Sequence, residues 1–189
     1  MKALRILIAD DEALTRLGLR TMLQDLGHQV VGAAPDGIAA LQMARETRPD
    51  LVILDIKMPG LDGLAAAEAI AAERPVPILI LSAYSDRDLV ERAATLAVQG
   101  YLVKPVQESS LAAEIELARS GFRQWQVLRQ EAADLREAMH TRDLIAQAKA
   151  RLMEQEGLSE QEAFARIQRR SRRQRRPLRA VAEEILNRS

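Results

Sequence analysis

The chain has 189 residues, 48% of them apolar, with 27 basic and 27 acidic side chains and no cysteine. That length suffices for one full domain and a smaller one, while the lack of cysteine excludes disulfide frameworks and thiolate metal sites. No apolar run approaches ~18 residues, so no membrane span is expected, and residues 1–6 lead straight into a strand-like segment with no signal peptide, which points to the cytoplasm. His28 and His140 have no partner at metal-ligand spacing and read as structural or solvated. The zero net charge hides an asymmetry: residues 1–120 hold 12 basic and 17 acidic side chains, residues 121–189 hold 15 and 10. An acidic module joined to one that meets a polyanion is the expectation.

In chain order, residues 4–9 form an apolar strand pattern ending on Asp10-Asp11-Glu12. Residues 13–26 carry Leu14, Leu17, Met22 and Leu26 at roughly helical spacing, closed by Gly27. Residues 30–34 predict a strand, and residues 37–46 a helix with Leu41 and Ala44 inward. Leu51-Val52-Ile53-Leu54 is a continuous apolar run bounded by turn residues, the pattern of a strand buried on both faces in a parallel sheet, and it ends on Asp55. A helix follows over 64–73, then Ile78-Leu79-Ile80-Leu81 ending on Ser82-Ala83. A helix over 87–98 and the strand Tyr101-Leu102-Val103 lead to Lys104-Pro105, and a last helix of this region starts near Ser109 or Ser110.

Five strands alternating with five helices predict a doubly wound α/β fold with a five-stranded parallel sheet and right-handed crossovers. Asp10, Asp11, Asp55, Ser82 and Lys104 then all lie just past strand ends, at the edge where open α/β sheets bind ligands. Carboxylates crowded together repel one another, and a hard cation with oxygen ligands resolves that; Mg²⁺ suits a site of few carboxylates plus waters. Asp55 reads as a carboxylate nucleophile forming an acyl phosphate, Lys104 as a fixed positive charge for the transferred oxygens, Ser82 as a hydroxyl donor, and Ala83 as a residue small enough to leave room. The bland alternative is that Lys104 only pairs with the acids and stabilises the edge.

Asp10-Asp11, Asp55, Met58-Pro59, Asp62-Gly63, Ser82-Ala83, Tyr101 and Lys104-Pro105, in this order and spacing, resemble the receiver domain of two-component response regulators, a flavodoxin-like fold, over residues 1–120. The resemblance implies phosphorylation of Asp55 by a sensor histidine kinase. It also implies a metal held by Asp11, Asp55 and the backbone carbonyl of Lys57, with Asp10 beside them, and a cis peptide bond before Pro105. By the same likeness Ser82 and Tyr101 reorient on phosphorylation, which changes the face built from the fourth helix, fifth strand and fifth helix. No enzymatic activity is expected beyond phosphoryl transfer to Asp55 and its loss.

From Leu111, the apolar positions Ile115, Ala118, Phe122, Trp125, Leu128, Ala132, Leu135 and Met139 form a heptad seam with one three-residue discontinuity. It predicts a long helix with a coiled-coil linker over 121–140, pairing with a second copy when Asp55 is phosphorylated. The alternative is that the stripe packs back onto its own chain.

Residues 141–189 predict a small three-helix bundle. Ile145, Ala148, Leu152 and Met153 face inward on one helix ended by Gly157. Ser159-Glu160-Gln161-Glu162 is a capping box opening the next, with Ala163, Phe164 and Ile167 inward. Pro177 suits the first turn of a third helix carrying Leu178, Val181, Ala182 and Ile185. Between Arg166 and Arg179 stand eight arginines and no acid, which favours a nucleic-acid partner over a solubilising surface.

Leu135, Ala138, Arg142, Ile145, Ala148-Lys149, Leu152-Met153, Ala163-Phe164, Ile167, Arg169, Ser171, Leu178 and Val181-Ala182 resemble the ANTAR domain, an RNA-binding module of transcription antiterminators, from about residue 135. The resemblance implies a dimer meeting hairpin RNA, whose loop bases are readable where a paired A-form groove is not. Ala150-Arg151 and Gln168 depart from the family pattern. Candidate RNA contacts are Lys149, Arg151, Arg169, Arg170, Arg172 and Arg173. Rival readings are a DNA-binding regulator with a recognition helix in the major groove, and a phospho-relay adaptor acting through protein contacts alone.

Overall fold

The computed structural model describes residues 3–83 and 98–187. Strands β1 (Arg5–Ala9), β2 (Gln29–Ala34), β3 (Leu51–Asp55), β4 (Ile78–Ser82) and β5 (Gly100–Val103) alternate with helices α1 (Ala13–Asp25), α2 (Gly37–Thr47) and α3 (Gly63–Glu73). They are followed by α4 (Glu108–Glu156), α5 (Glu160–Gln174) and α6 (Leu178–Asn187). The helix expected over 87–98 falls, but for Val98, outside the described residues. The five strands form one parallel sheet in the order β2-β1-β3-β4-β5.

Side chains along a strand point alternately to opposite faces, and the two cores follow that period. Leu7, Ala9, Val52, Leu54, Ile78 and Ile80 pack with Ala40 and Ala44 of α2 and with Ala66, Ala67 and Ile70 of α3. Ile6, Ile8, Leu51, Ile53, Leu79 and Leu81 pack on the other face with Leu19 and Leu23 of α1 and Leu111, Ile115 and Ala118 of α4. Every residue of β3 and β4 is buried, as expected of central strands covered by helices on both sides.

The inward face of α1 differs from the expected one: Leu14 is 84% and Leu17 61% exposed, while Leu19 and Leu23 enter the core. This helix has leucines on several sides, so spacing alone fits more than one stripe, and packing on the sheet selects 19, 23 and the flanking Met22 and Leu26.

α4 is one helix of 49 residues that absorbs the receiver's last helix, the seam and the first helix expected of the bundle. Gly157, at φ +68°, follows its last turn, in the left-handed region that glycine adopts without steric cost. Contacts divide the chain into residues 1–125 and 126–189. The seam is divided as well. Leu111, Ile115, Ala118 and Phe122 are buried, whereas Leu128, Leu135 and Met139 are 58%, 64% and 55% exposed. Packing onto its own chain therefore accounts for the first half of the stripe and not for the second.

In the C-terminal unit, Ala148 and Leu152 of α4, Ala163 and Ile167 of α5, and Val181, Ala182 and Ile185 of α6 form a core, with Ile145 at its margin. Met153 and Phe164, expected inward, are exposed. Each follows a buried residue, Leu152 or Ala163, by one position, and one step rotates a helical side chain by about 100°, off the buried face. Ser159 and Glu162 make the complete capping box that the sequence predicts. Pro177 stands just before α6, where its carbonyl accepts from the Val181 N–H.

Candidate phosphoacceptor site and basic surface

β1 and β3 are adjacent and parallel, so the residues at their carboxyl ends become neighbours, and Asp10, Asp11 and Asp55 come together there. Each can offer a carboxylate oxygen such that all three lie within 4.8 Å of one another. Asp10 and Asp55 are buried and Asp11 is exposed. The loop after β1 is tied down locally: Asp10 Oδ1 accepts from the Glu12 N–H at 2.9 Å. Arg16 Nη1 donates to the backbone carbonyls of Asp10 and Asp11 at 2.7 and 3.0 Å. Arg16 was not among the expected site residues. A basic residue one turn into a helix that follows Asp-Asp-Glu was the available signal.

Lys104, just past β5, places its Nζ 2.8 Å from Asp10 Oδ2 and 2.9 Å from Asp55 Oδ2. The first contact is an ion pair at an angle that makes no hydrogen bond, so Asp10 Oδ2 is a buried oxygen with unspent acceptor capacity. Asp55 Oδ1 has no protein partner among the described residues. Burial pushes the Asp55 carboxyl above its ordinary range; Lys104 opposes that shift, and Asp10 and Asp11 reinforce it. For Lys104, burial works against the charged form, but the contacts with Asp10 and Asp55 outweigh it and hold its pKa above the usual lysine range. The peptide bond between Lys104 and Pro105 is cis, as the family likeness implied.

The loop after Asp55 depends on close backbone approach. A Cβ on Gly63 would stand 1.9 Å from the Asp55 carbonyl oxygen, so glycine alone lets α3 start against the end of β3. Asp62, a motif residue, caps that helix by accepting from the Ala65 N–H at 2.8 Å. Lys57 is exposed on this loop, two residues past Asp55. Ser82 is buried at the end of β4, with its hydroxyl donating to the Ala83 carbonyl at 3.0 Å. Tyr101 is half-buried in β5, and burial raises its phenol pKa.

An oxygen-rich, partly buried set of three carboxylates with an unspent buried oxygen fits a hard divalent cation such as Mg²⁺. The arrangement offers a carboxylate oxygen free to attack, a cation beside it, and a hydroxyl on the adjoining strand.

The structure sorts the basic residues of the C-terminal unit into two groups. Lys149 pairs with Glu160, and Arg151 donates to the Leu186 carbonyl at 2.6 Å near the end of α6, where a cation suits the helix dipole. Arg170 is largely buried against Glu184, which also takes Arg176. Arg166 pairs with Glu156, and Arg179 with Glu137 and Glu183. By contrast Arg169, Arg172, Arg173 and Arg175 are exposed, and among the described residues their guanidinium groups pair with nothing. Of the six expected contacts, Arg169, Arg172 and Arg173 are therefore free cations, while Lys149, Arg151 and Arg170 are engaged within the unit. Arg175 joins the free set.

A family profile described as the response regulator receiver domain matches residues 6–116, and one described as the ANTAR domain matches residues 133–186. The transcriptional regulatory protein PdtaR of Mycobacterium tuberculosis is 47% identical over 182 residues, which cover 96% of this chain and 89% of that protein. Among solved structures, the signal receiver domain of a modulated diguanylate cyclase from Desulfovibrio desulfuricans aligns with a TM-score of 0.61 at 33% identity, covering 65% of this chain and 98% of that one. The receiver domain of AraT, a response regulator from Geobacillus stearothermophilus, gives 0.59 at 30% identity, covering 66% and 99%. Among the described residues no helix is long and apolar enough to cross a membrane.

Proposed function

Because the chain belongs to the response regulators of two-component systems, with a receiver domain followed by an ANTAR domain, we propose that phosphorylation of Asp55 controls hairpin-RNA binding by its C-terminal unit, and that the bound state acts in transcription antitermination. The observation that carries the reading is the union, in one chain, of the Asp10–Asp11–Asp55 cluster under Lys104 with a set of unpaired arginines on a helical unit.

The donor is the phosphohistidine of a sensor kinase. An Asp55 oxygen attacks the phosphorus, the bond from phosphorus to the histidine nitrogen breaks, and an acyl phosphate forms. Mg²⁺ bound by Asp10, Asp11, Asp55 and the Lys57 carbonyl would supply charge neutralisation for the incoming phosphoryl group. Lys104 stands where it can turn from the Asp55 carboxylate to a phosphoryl oxygen. Ser82 offers a hydroxyl toward the same edge, and Tyr101 follows the space that Ser82 leaves. The chain's own chemistry ends there, without a separate enzymatic output.

The exposed half of the seam, Leu128, Leu135 and Met139, is an apolar stripe at coiled-coil spacing, and a second copy of the chain is its expected cover. Dimerisation brings two basic units to one transcript, making the second contact intramolecular. The free set of Arg169, Arg172, Arg173 and Arg175 meets the RNA backbone and loop.

The test exposes the full chain, with Mg²⁺ and with or without beryllofluoride as acyl-phosphate mimic, to a pool of RNA stem–loops with randomised loops and to duplex DNA. Enrichment of a hairpin, stronger with the mimic and lost in Asp55→Ala, is the expected result. Preference for duplex DNA would favour a DNA-binding regulator, and equal affinity at equal oligomeric state would remove the switch.

A further inference from the structure

The corner between α5 and α6 is braced in a way that attraction for a polyanion does not call for. Glu184 of α6 divides its carboxylate between two arginines: Oε1 accepts from Arg170 Nη2 at 2.6 Å and Oε2 from Arg176 Nη1 at 3.0 Å. Arg176 is also held by its backbone. Its carbonyl accepts from the Ser171 hydroxyl at 2.5 Å, and its N–H donates to the Ser171 carbonyl at 3.1 Å. Between these two anchors Arg175 sits at φ +52°, a left-handed conformation that a residue with a Cβ adopts only at a cost and that glycine usually takes at this position after a helix. The result is a braced turn that carries a charged side chain where glycine would be less strained.

Charge makes the brace informative. An acid that occupies two arginines lowers the attraction of the unit for any polyanion, so Glu184 works against indiscriminate binding. What it offers in return is geometry. Arg172 and Arg173, in the last turn of α5, and Arg175, within the braced turn, are exposed and without ion-pair partners among the described residues, and a fixed turn loses less freedom when it docks.

We propose that Glu184 and Ser171 are positioning residues for RNA recognition, bracing the corner so that Arg172, Arg173 and Arg175 are presented as one set to a hairpin of matching shape. The proposal rests on the RNA-binding reading above. Glu184 lowers affinity for unstructured RNA and raises the preference for the hairpin.

The experiment uses the full chain with beryllofluoride and Mg²⁺, a hairpin enriched from the randomised pool, and poly(U) as the indifferent probe, over a series of salt concentrations. Glu184→Gln removes one negative charge and keeps the shape. The expected result is a fall in hairpin affinity of about tenfold, within the range for loss of one specific contact, together with unchanged or tighter poly(U) binding. Ser171→Ala should shift the ratio of the two affinities in the same direction by a smaller factor, without altering charge. Parallel strengthening on both probes in Glu184→Gln would reduce Glu184 to a charge effect, and parallel weakening would reduce it to a fold brace; either overturns the proposal. If Glu184→Gln loses its helical circular-dichroism signal, the ratio in Ser171→Ala decides alone. Should the wild-type chain enrich no hairpin, the RNA-binding reading itself fails; should it enrich one while both variants keep the wild-type ratio, only the positioning role fails.

Discussion

The receiver site and the basic C-terminal unit concentrate charge in opposite ways. At the receiver edge, two acids are buried, Lys104 bridges them at 2.8 and 2.9 Å, and three separate strands hold the groups in place. In the C-terminal unit most arginines of the 166–179 run come from α5 and the turn after it, and several are already paired with acids of α4 or α6. Burial makes the first cluster specific, because each unpaired charge there is costly and has only one arrangement that relieves it. On a surface a cation can stand unpaired in water, so what separates one arginine from another is the presence or absence of a neighbouring acid.

Removing the bridge is the severest test of that contrast. Lys104→Met leaves Asp10 and Asp55 facing each other with Asp11 nearby. Losing one partner of a buried pair costs about 3–5 kcal/mol, and since the Lys104 side chain keeps 23% exposure the expected cost is about 2 kcal/mol. Thermal unfolding in chelator should show this as a lowered Tm, and millimolar Mg²⁺ should recover most of it by binding the folded acids. A Tm indifferent to Mg²⁺ in both wild type and variant would count against the metal assignment.

The surface half of the comparison is tested by salt. Replacing Arg172 and Arg173 together by alanine should flatten the dependence of log affinity on log salt by about 1.4 to 1.8, the release expected for two phosphate contacts. Lys149→Ala, at a residue already committed to Glu160, should leave that slope almost unchanged. Equal slopes for the two variants would erase the distinction between free and engaged cations.

The smallest expected effect concerns His28, a buried group on the receiver outside the Asp10–Asp11–Asp55 cluster. Burial first, and Arg119 second, lower its pKa from 6.5, against the opposing influence of Glu116. Among the described residues its Nε2 has no hydrogen-bond partner, and its Nδ1 accepts from the Leu4 N–H at 3.4 Å. A depressed histidine pKa means that the unfolded chain binds the extra proton first. The stability this group contributes is therefore complete above 6.5 and is lost as pH falls toward its folded pKa. The wild-type chain should lose Tm between about pH 7 and pH 5 more steeply than His28→Asn, and parallel curves would remove His28 from the account.

Much of the receiver is legible from residues alone. The runs at residues 51–54 and 78–81 read as central strands because parallel strands buried on both faces leave no polar alternation to confuse the pattern. Once the strands are parallel, the positions of Asp10, Asp55, Ser82 and Lys104 follow from topology. The face of α1 was not legible, because leucines at 14, 17, 19 and 23 fit competing stripes and the sheet decides between them. Nor were the commitments of Lys149, Arg151 and Arg170, since their partners Glu160, Leu186 and Glu184 lie 11, 35 and 14 residues away along the chain.

The sequence by itself determined the alternation of strands and helices, the acids and lysine at the strand ends, the capping box at Ser159 and the presence of an arginine-rich corner, since each is written in local spacing or in a short motif. Only the tertiary structure decided where the apolar stripe of α4 passes from buried to exposed and which arginines remain free. Both depend on which side chains from distant segments come within contact distance, and a periodic pattern or a count of charges carries no record of that.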